Sequence, residues 1–408
     1  MENINKSALE GMKVLELGQL IAAPFAGSML AGFGAEVIKV EPPSKGDPMR
    51  TWRKMRGDTS LWWSSISRNK KSITVDLRQE EGQQIIRKLV ESQVDIVVEN
   101  FRPGRLEEWG LGYEDLKRLN PRLIMVRVSG WGQDGPYANR PGFASVAEGV
   151  AGLRYLTGEP GRPPVRTGIS LGDTLAGLHA VIGLMNAIYE RDIGASNEGG
   201  SGKGQLVDAA IYESVFNVME SLLPEYDYMG HVRERSGAKL GGIVPSNTYQ
   251  CSDGKYIIIG GNNDAIFKRL MTAVGRQDLA DSPSLDQNHG RVKEEEKIDS
   301  VINSFTSSHS FEEVYKKLSE ADVPVGPINS IEDIVKDPQF IARNMFEKVK
   351  LGEGEEMAMP RMVPKLERTP AKTNWPGPKL GEHNQEILLE RLGYSEEEIE
   401  NLIAKKVL

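Results

Sequence analysis

The first forty or so residues already restrict the fold. Gly11 to Leu17 reads as a strand, Ala22 to Gly34 as an apolar helix of small residues, and Glu36 to Glu41 as a second strand closed by Pro42-Pro43. A strand, a crossover helix and a second strand make a βαβ unit, normally parallel and right-handed. The alternation continues through Ile73 to Leu77, a helix from Glu81 to Ser92, Asp95 to Glu99, a helix from Tyr113 to Asn120, and Leu123 to Ser129. Such a succession predicts an α/β fold with a parallel sheet covered on both faces. Ligands on such sheets gather at the carboxyl ends of the strands. Asn100-Phe101-Arg102, the glycine loop Gly130-Trp131-Gly132-Gln133-Asp134-Gly135-Pro136 and Asp173 are expected at such ends.

The first turn argues against a dinucleotide. Gly18-Gln19-Leu20-Ile21-Ala22-Ala23-Pro24 lacks the G-x-G-x-x-G spacing that brings a pyrophosphate to a helix N-terminus. Glu41 ends the second strand, where a ribose-binding acid can sit, but without the glycines it carries little weight. Ser44 to Leu61 is polar with scattered Trp and Arg and reads as a long surface excursion.

At 408 residues the chain is long for one core, so two domains are the default. Tyr256 to Ile259 is strand-like, and Ile266 to Val274, Arg291 to Phe305 and Phe311 to Ala321 read as helices, which gives a smaller α+β domain over 230–330. Gly194 to Gly204 is rich in Gly, Ser and Asn and reads as a flexible connection.

Hydrophobic content of 39% with 7% aromatic residues fits a globular chain. The net charge of -8 argues against a general nucleic-acid binder. A single cysteine, Cys251, excludes an intrachain disulfide and points to a reducing cytoplasm. It precedes the turn Ser252-Asp253-Gly254 and reads as a strand end, not a nucleophile. No apolar signal region opens the chain, and no apolar run reaches the roughly 18 residues that span a bilayer, so no membrane partner is expected. The five histidines are scattered without ligand spacing, so no metal is expected.

One acid stands out. Asp173 lies in Gly168-Ile169-Ser170-Leu171-Gly172-Asp173-Thr174-Leu175-Ala176-Gly177, between a loop over Thr157 to Thr167 and an apolar helical stretch from Leu175 to Tyr189. By position alone it is more often an N-cap than a nucleophile. Gly172 and Gly177 would let a bulky ligand approach, which favours function.

The motifs, taken in order, resemble the class III CoA-transferases, the CaiB/BaiF family of formyl-CoA transferase, carnitine CoA-transferase and α-methylacyl-CoA racemase. The resemblance rests on Gly34-Ala35-Glu36-Val37-Ile38-Lys39-Val40-Glu41, Asn69-Lys70-Lys71-Ser72-Ile73, Glu99-Asn100-Phe101-Arg102-Pro103-Gly104, the Gly130 loop, Gly172-Asp173, Pro324-Val325-Gly326-Pro327-Ile328 and Leu380-Gly381-Glu382-His383. It implies a Rossmann-like large domain made of both ends of the chain, a smaller domain from the middle, and an obligate homodimer of interlocked chains. The domains then run 1–195 for the first part of the large domain, 196–229 for a linker, 230–330 for the small domain, and 331–408 for a linker and the part that completes the large domain.

The resemblance also implies a chemistry. Asp173 matches the family's nucleophilic aspartate, which passes through an acyl anhydride and an aspartyl-CoA thioester. CoA thioesters are then substrates, and no separate cofactor is needed. Val75, Asp76, Leu77 and Arg78 match the adenine end of the CoA site; Asn100, Phe101 and Arg102 follow the pantetheine and phosphates, with Ala22 near the same arm and Arg105 a further phosphate partner. Oxyanions need N–H donors. The amide of Gly172 and a mobile loop with Gly241 and Gly242 are the candidates, the alternative for the loop being an ordinary turn into a strand.

Departures narrow the reading. The formyl-CoA branch has Gln where Ile21 stands and a basic residue where Pro42 stands, which argues against oxalate. The racemase branch has a His-Asp pair where Phe143 and Ala144 stand, and Phe143 moves no proton, so racemase chemistry, which needs two bases, is disfavoured. His179 reads as a packing residue. A CoA-thioester racemase and a non-catalytic CoA-binding protein remain the alternatives. The Asp173 segment looks most like members that use succinyl-CoA and C4–C5 dicarboxylates such as malate, mesaconate, citramalate or glutarate. Arg50, Arg53, Arg140 and Arg166 are candidates for a second carboxylate, and the sequence does not choose among them.

Overall fold

Six parallel strands form the central sheet: β1 (Lys13–Glu16), β2 (Glu36–Glu41), β3 (Lys70–Thr74), β4 (Ile96–Glu99), β5 (Ile124–Ser129) and β6 (Leu206–Ala210). Their spatial order is β3-β2-β1-β4-β5-β6, and every neighbouring pair is parallel. That is the doubly wound order of dinucleotide-binding folds, whose topological switch falls between the first and fourth strands. The computed structural model describes residues 6–194, 199–352 and 354–408.

Successive side chains on a strand point to opposite faces, and here each face has its own core. Leu15, Ile38, Ile73, Val97 and Met125 meet Ile85, Ile86 and Leu89 of α2 (Glu80–Ser92). Val14, Val37, Ile96, Val98, Ile124 and Val126 meet the alanines of α1 (Ala22–Gly32) and of α3 (Leu171–Asp192). Both helices are rich in small residues because they must come close. A Cβ on Gly177 of α3 would stand 2.8 Å from Phe25 Cδ1 and 2.9 Å from the Ala22 carbonyl oxygen of α1.

The described residues fall into two compact units. The first takes those up to Leu153, Thr167–Met219 and Ala342–Leu408; the second takes Arg154–Arg166 and Glu220–Ile341. In the first unit the later segments return to the sheet: Ile387, Leu388, Ile399, Leu402 and Val407 are buried against the α2 face. The second unit has a three-stranded antiparallel sheet of β7 (Ser246–Gln250), β8 (Tyr256–Gly260) and β9 (Val325–Pro327), ordered β9-β8-β7. Ile257 and Ile259 of that sheet pack with Phe267, Leu270, Ile298, Ile302, Val314 and Leu318 from three helices.

Three local expectations change. The strand read as Ile73 to Leu77 starts at Lys70, so the basic run is partly inside the sheet. Lys70 is fully buried because its ammonium meets Glu16 Oε2 at 2.8 Å and the Pro24 carbonyl at 2.8 Å. The stretch 44–61 is not all surface, since Asp47, Met49 and Arg50 are buried. Within 196–229, where Gln205 to Leu223 reads as a strand turning into an amphipathic helix, edge strand β6 does pair with β5. Finally, α3 is long and apolar enough by composition to cross a membrane, with a mean hydropathy of 1.3 over its best window. Its sequence reads otherwise because Asp173, Glu190, Arg191 and Asp192 sit near its ends, and it packs on α1 and β6 instead.

Candidate active site

Turn 18–21 leaves β1 at the switch point, and its Gly18–Gln19 and Gln19–Leu20 peptides are held on both sides. Gly18 has no room for a side chain: a Cβ would lie 2.5 Å from Ala23 Cβ and 2.9 Å from Asn100 Oδ1. Asn100, the residue after β4, takes the Gln19 N–H at 2.7 Å and gives its amide to the Gln19 carbonyl at 2.7 Å. Leu20 has φ +65°, and its N–H is accepted by the Asp47 carboxylate at 3.1 and 3.2 Å. Lys39 donates to the Gly18 carbonyl and to Asp47 Oδ2, and faces Glu16 Oε1 at 3.1 Å. Glu16, Lys39, Asp47 and Lys70 are all buried. Burial alone would push the Lys39 ammonium down, but Asp47, Glu16 and Glu41 around it drive it up, so it stays charged. Burial works against the Asp47 carboxylate too, and Lys39 more than offsets it, holding it low.

Over this floor opens a cleft of about 1040 Å³. Its walls come from the segment after β2, from Val75, Asp76, Leu77 and Arg78 after β3, and from Phe101 after β4. Phe101 is steadied by Trp109, ring centroids 5.5 Å apart, and its N–H goes to Glu99 Oε2 at 2.6 Å. Burial pushes the Glu99 carboxyl up to about 7 despite Arg127 at 2.6 Å. Asp76 is gripped by Arg78 at 2.8 and 2.9 Å, which keeps its carboxylate low. Lys45, Lys405 and Lys406 also line the cleft, and sequence reasoning missed them. No local signal marks them: Lys45 lies in a polar loop and the Lys405-Lys406 pair just past a helix, and topology brings them to the cleft.

The other candidates lie elsewhere. Ala22 is buried at the first position of α1 and Asn100 acts through the Gln19 backbone; neither lines the cleft. Arg102 and Arg105 are exposed outside the lining, and Arg105 pairs with Glu108 at 2.7 Å. Glu41 carries no ribose here. It holds Arg50 through both oxygens at 2.7 and 2.8 Å and accepts from Ser72 at 2.6 Å. Arg50 is thereby occupied. Arg53 and Arg140 are exposed and lie over Trp62 and Tyr137, while Arg166 is exposed in the second unit.

Asp173 is not a cap. Ser170 holds the N-cap position of α3, and Asp173 is the third helical residue, partly buried. A carboxylate there is favoured by the helix dipole. Its backbone is fixed from two sides. Gly172 is buried, and a Cβ on it would lie 3.2 to 3.3 Å from Glu148, Ile211 and Ala144; four residues past Asp173, Gly177 abuts the first turn of α1. The Gly172 N–H donates to Glu148 Oε1 at 3.1 Å, so the expected oxyanion donor is taken. Gly241 and Gly242 lie in a turn of the second unit before β7. Asn288 bridges that turn, donating to the Gly242 carbonyl at 2.9 Å and accepting the Val244 N–H at 3.1 Å. Among the described residues the two glycine N–H groups have no acceptor. His179 is satisfied by Leu175 O at 2.9 Å and Asn217 at 3.3 Å. Phe143 is 67% exposed.

Known proteins agree with this architecture over its whole length. A succinyl-CoA–D-citramalate CoA-transferase of Chloroflexus aurantiacus is 47% identical over 98% of both chains. The alpha subunit of a succinyl-CoA–L-malate CoA-transferase of Chloroflexus aurantiacus is 40% identical, covering 98% of this chain and 92% of that one. A solved CaiB/BaiF family protein from Brucella suis superposes with a TM-score of 0.80 at 35% identity, over 95% of this chain and all of the other. Residues 9–384 match the model of CoA-transferase family III. The chain belongs to that family and is a CoA-transferase.

Proposed function

We propose that this enzyme moves CoA from succinyl-CoA to a C4–C5 dicarboxylate, with citramalate and malate as the first acceptors to try. The observation that carries the reading is the placement of Asp173. It stands on the first turn of a helix locked to the start of α1, and α1 issues from the very turn that floors the nucleotide-sized cleft. The relatives that act on succinyl-CoA with citramalate or malate support the choice of donor and acceptor.

The Asp173 carboxylate attacks the thioester carbonyl of the donor. The C–S bond breaks, CoA leaves as thiolate, and a mixed anhydride remains. The thiolate then attacks the aspartyl carbonyl and expels succinate, leaving an aspartyl-CoA thioester. The acceptor carboxylate displaces the thiolate in its turn and forms a second anhydride. Thiolate attack on the acceptor carbonyl releases the new acyl-CoA and returns Asp173. Each step exchanges one acyl bond for another, so no proton or electron is gained or lost overall. A carboxylate is a weak nucleophile in water and serves here because it is positioned beside a bound electrophile. Val75–Arg78 and Phe101 take the nucleotide end, Asn100 holds the floor for the pantetheine arm with Ala22, and Arg102 and Arg105 supply cations outside the cleft lining. Gly241 and Gly242 offer the oxyanion donors.

The working form is a homodimer of interlocked chains in the cytoplasm. Its support is apolar surface on the first unit: Phe143, Val146, Val150, Ile169, Ile182 and Tyr189 are each at least 50% exposed. Large apolar side chains left exposed in such number are what a subunit interface would cover. Two tests apply. A panel of acyl-CoA donors and free acids, ranked by kcat/KM, should place succinyl-CoA and C4–C5 dicarboxylates first; carnitine, formate or an aryl acid in front would reject the substrate reading. Native mass spectrometry should give twice the chain mass, against a monomer or an assembly that needs a second gene product.

A further inference from the structure

The cleft carries a surplus of positive charge. Two acids line it, Asp47 and Asp76, and both are spent on cations of their own: Asp47 on Lys39 at 2.8 Å, Asp76 on Arg78 at 2.8 Å. Three lysines line it as well. Lys405 reaches Glu81 at 3.0 Å on the exposed rim, and among the described residues Lys45 and Lys406 form no ion pair. The lysines at 405 and 406 are not on a loose strand of chain. Val407 beside them is fully buried, its carbonyl accepts the Asp76 N–H at 2.7 Å, and its N–H donates to Leu402 at 2.9 Å. The Gln79 side-chain amide donates to the Lys406 carbonyl at 3.1 Å, and Lys406 itself is held at φ +59°. A non-glycine residue in that region costs roughly 1–2 kcal/mol, so the turn persists because its neighbours hold it.

We propose that Lys405 and Lys406, with Lys45 of the same cleft lining, bind the phosphomonoester on the ribose of the CoA substrate. The inference rests on the CoA-transferase reading and adds to it the residues that recognise this group. A phosphomonoester carries close to two negative charges at neutral pH and needs more than one cation. The lysines join the wall at Val75–Arg78, the segment given to the adenine, and the phosphomonoester sits on the adenosine, not on the arm. Pro42 lines the same cleft where the formyl-CoA branch has a basic residue. Here the charge arrives instead from a segment more than 300 residues away in sequence, docked onto the segment after β3.

The test compares CoA with dephospho-CoA, which lacks only that phosphate, by calorimetric titration at fixed ionic strength. The unsubstituted protein should bind CoA about tenfold more tightly than dephospho-CoA. In Lys405→Gln/Lys406→Gln the preference should fall to about twofold or less, through a loss on CoA alone. Lys45→Gln should take a smaller part of it. Exposed lysines leave the melting temperature unchanged, so folding does not confuse the result. An equal loss on both ligands would overturn the assignment and give the lysines to the diphosphate. An unchanged preference would overturn it outright. If the unsubstituted protein bound neither ligand, the CoA site itself would be misplaced.

Discussion

Around Asp173 the chain is packed on glycine and alanine. Gly172, Ala176, Gly177 and Ala180 are buried; a Cβ on Gly172 would press on Glu148, Ile211 and Ala144, and one on Gly177 on Phe25 and the Ala22 carbonyl oxygen. Around the cleft an apolar wall of Val40, Val75, Leu77, Phe101 and Trp109 is edged by prolines, three lysines and Arg78, over a floor of buried ions that bind one another. The contrast follows from what each region is asked to hold. A nucleophile that attacks a carbonyl needs one backbone position, and small residues fix it by contact. A polyanion needs charge and reach, and flexible side chains supply both. The ions of the floor belong with the first region: they are as intolerant as the glycines, because a buried charge without its partner has no solvent to turn to.

Substitutions separate the two regions by size of effect. Asp173→Ala should lose transfer by about a thousandfold or more while keeping the fold, since the side chain is partly exposed; isotope exchange between a labelled acid and acyl-CoA measures it. Lys39→Met should destabilise the first unit by about 3–5 kcal/mol in urea unfolding, because Glu16 and Asp47 lose a shared partner. Replacing Lys39 and Asp47 together by apolar residues should cost less than the sum of the single changes, and strict additivity would mean the ions act separately. Gly177→Ala should cost about 1–3 kcal/mol through contact with Phe25 and the Ala22 carbonyl, and should lower kcat with it.

The smallest effects are in pH. Arg391 grips Glu36 through both oxygens at 2.7 and 2.8 Å, and with Lys71 it holds that carboxyl at about 2. A depressed carboxyl stabilises above its unfolded value near 4.5 and the gain is lost as pH falls toward 2. Glu99 has the opposite sign. Burial raises it to about 7, so its contribution is full below about 4.5 and is lost as pH rises through 7. Melting curves of Glu36→Gln and Glu99→Gln against pH should therefore flatten in different windows, acid for the first and near-neutral for the second.

Much of this could be read from the chain. The strand Glu36–Glu41 has the bounds its alternating residues give, and Val75–Arg78 and Phe101 do line the cleft. What the sequence hides is partnership at a distance. A lysine in a strand pattern reads as surface, and Lys39 and Lys70 are buried only because Glu16 on strand β1 and, for Lys39, Asp47 reach them. Arg50 reads as a free cation until Glu41 is placed beside it. Lys405 and Lys406 carry no signal of a site in the sequence; Val407, whose carbonyl accepts the Asp76 N–H, brings them to the cleft. Asp173 reads as a cap because helix starts are uncertain by a residue or two, and Ser170 takes that place.

The central claim is that Asp173 carries the acyl group and then CoA. It is tested by incubating the protein with succinyl-CoA, quenching with hydroxylamine, and mapping the modified peptide by mass spectrometry. The account predicts an aspartyl hydroxamate at position 173, formed only when the thioester is present. Full transfer activity with position 173 unmodified, or with the adduct on another residue, would contradict it.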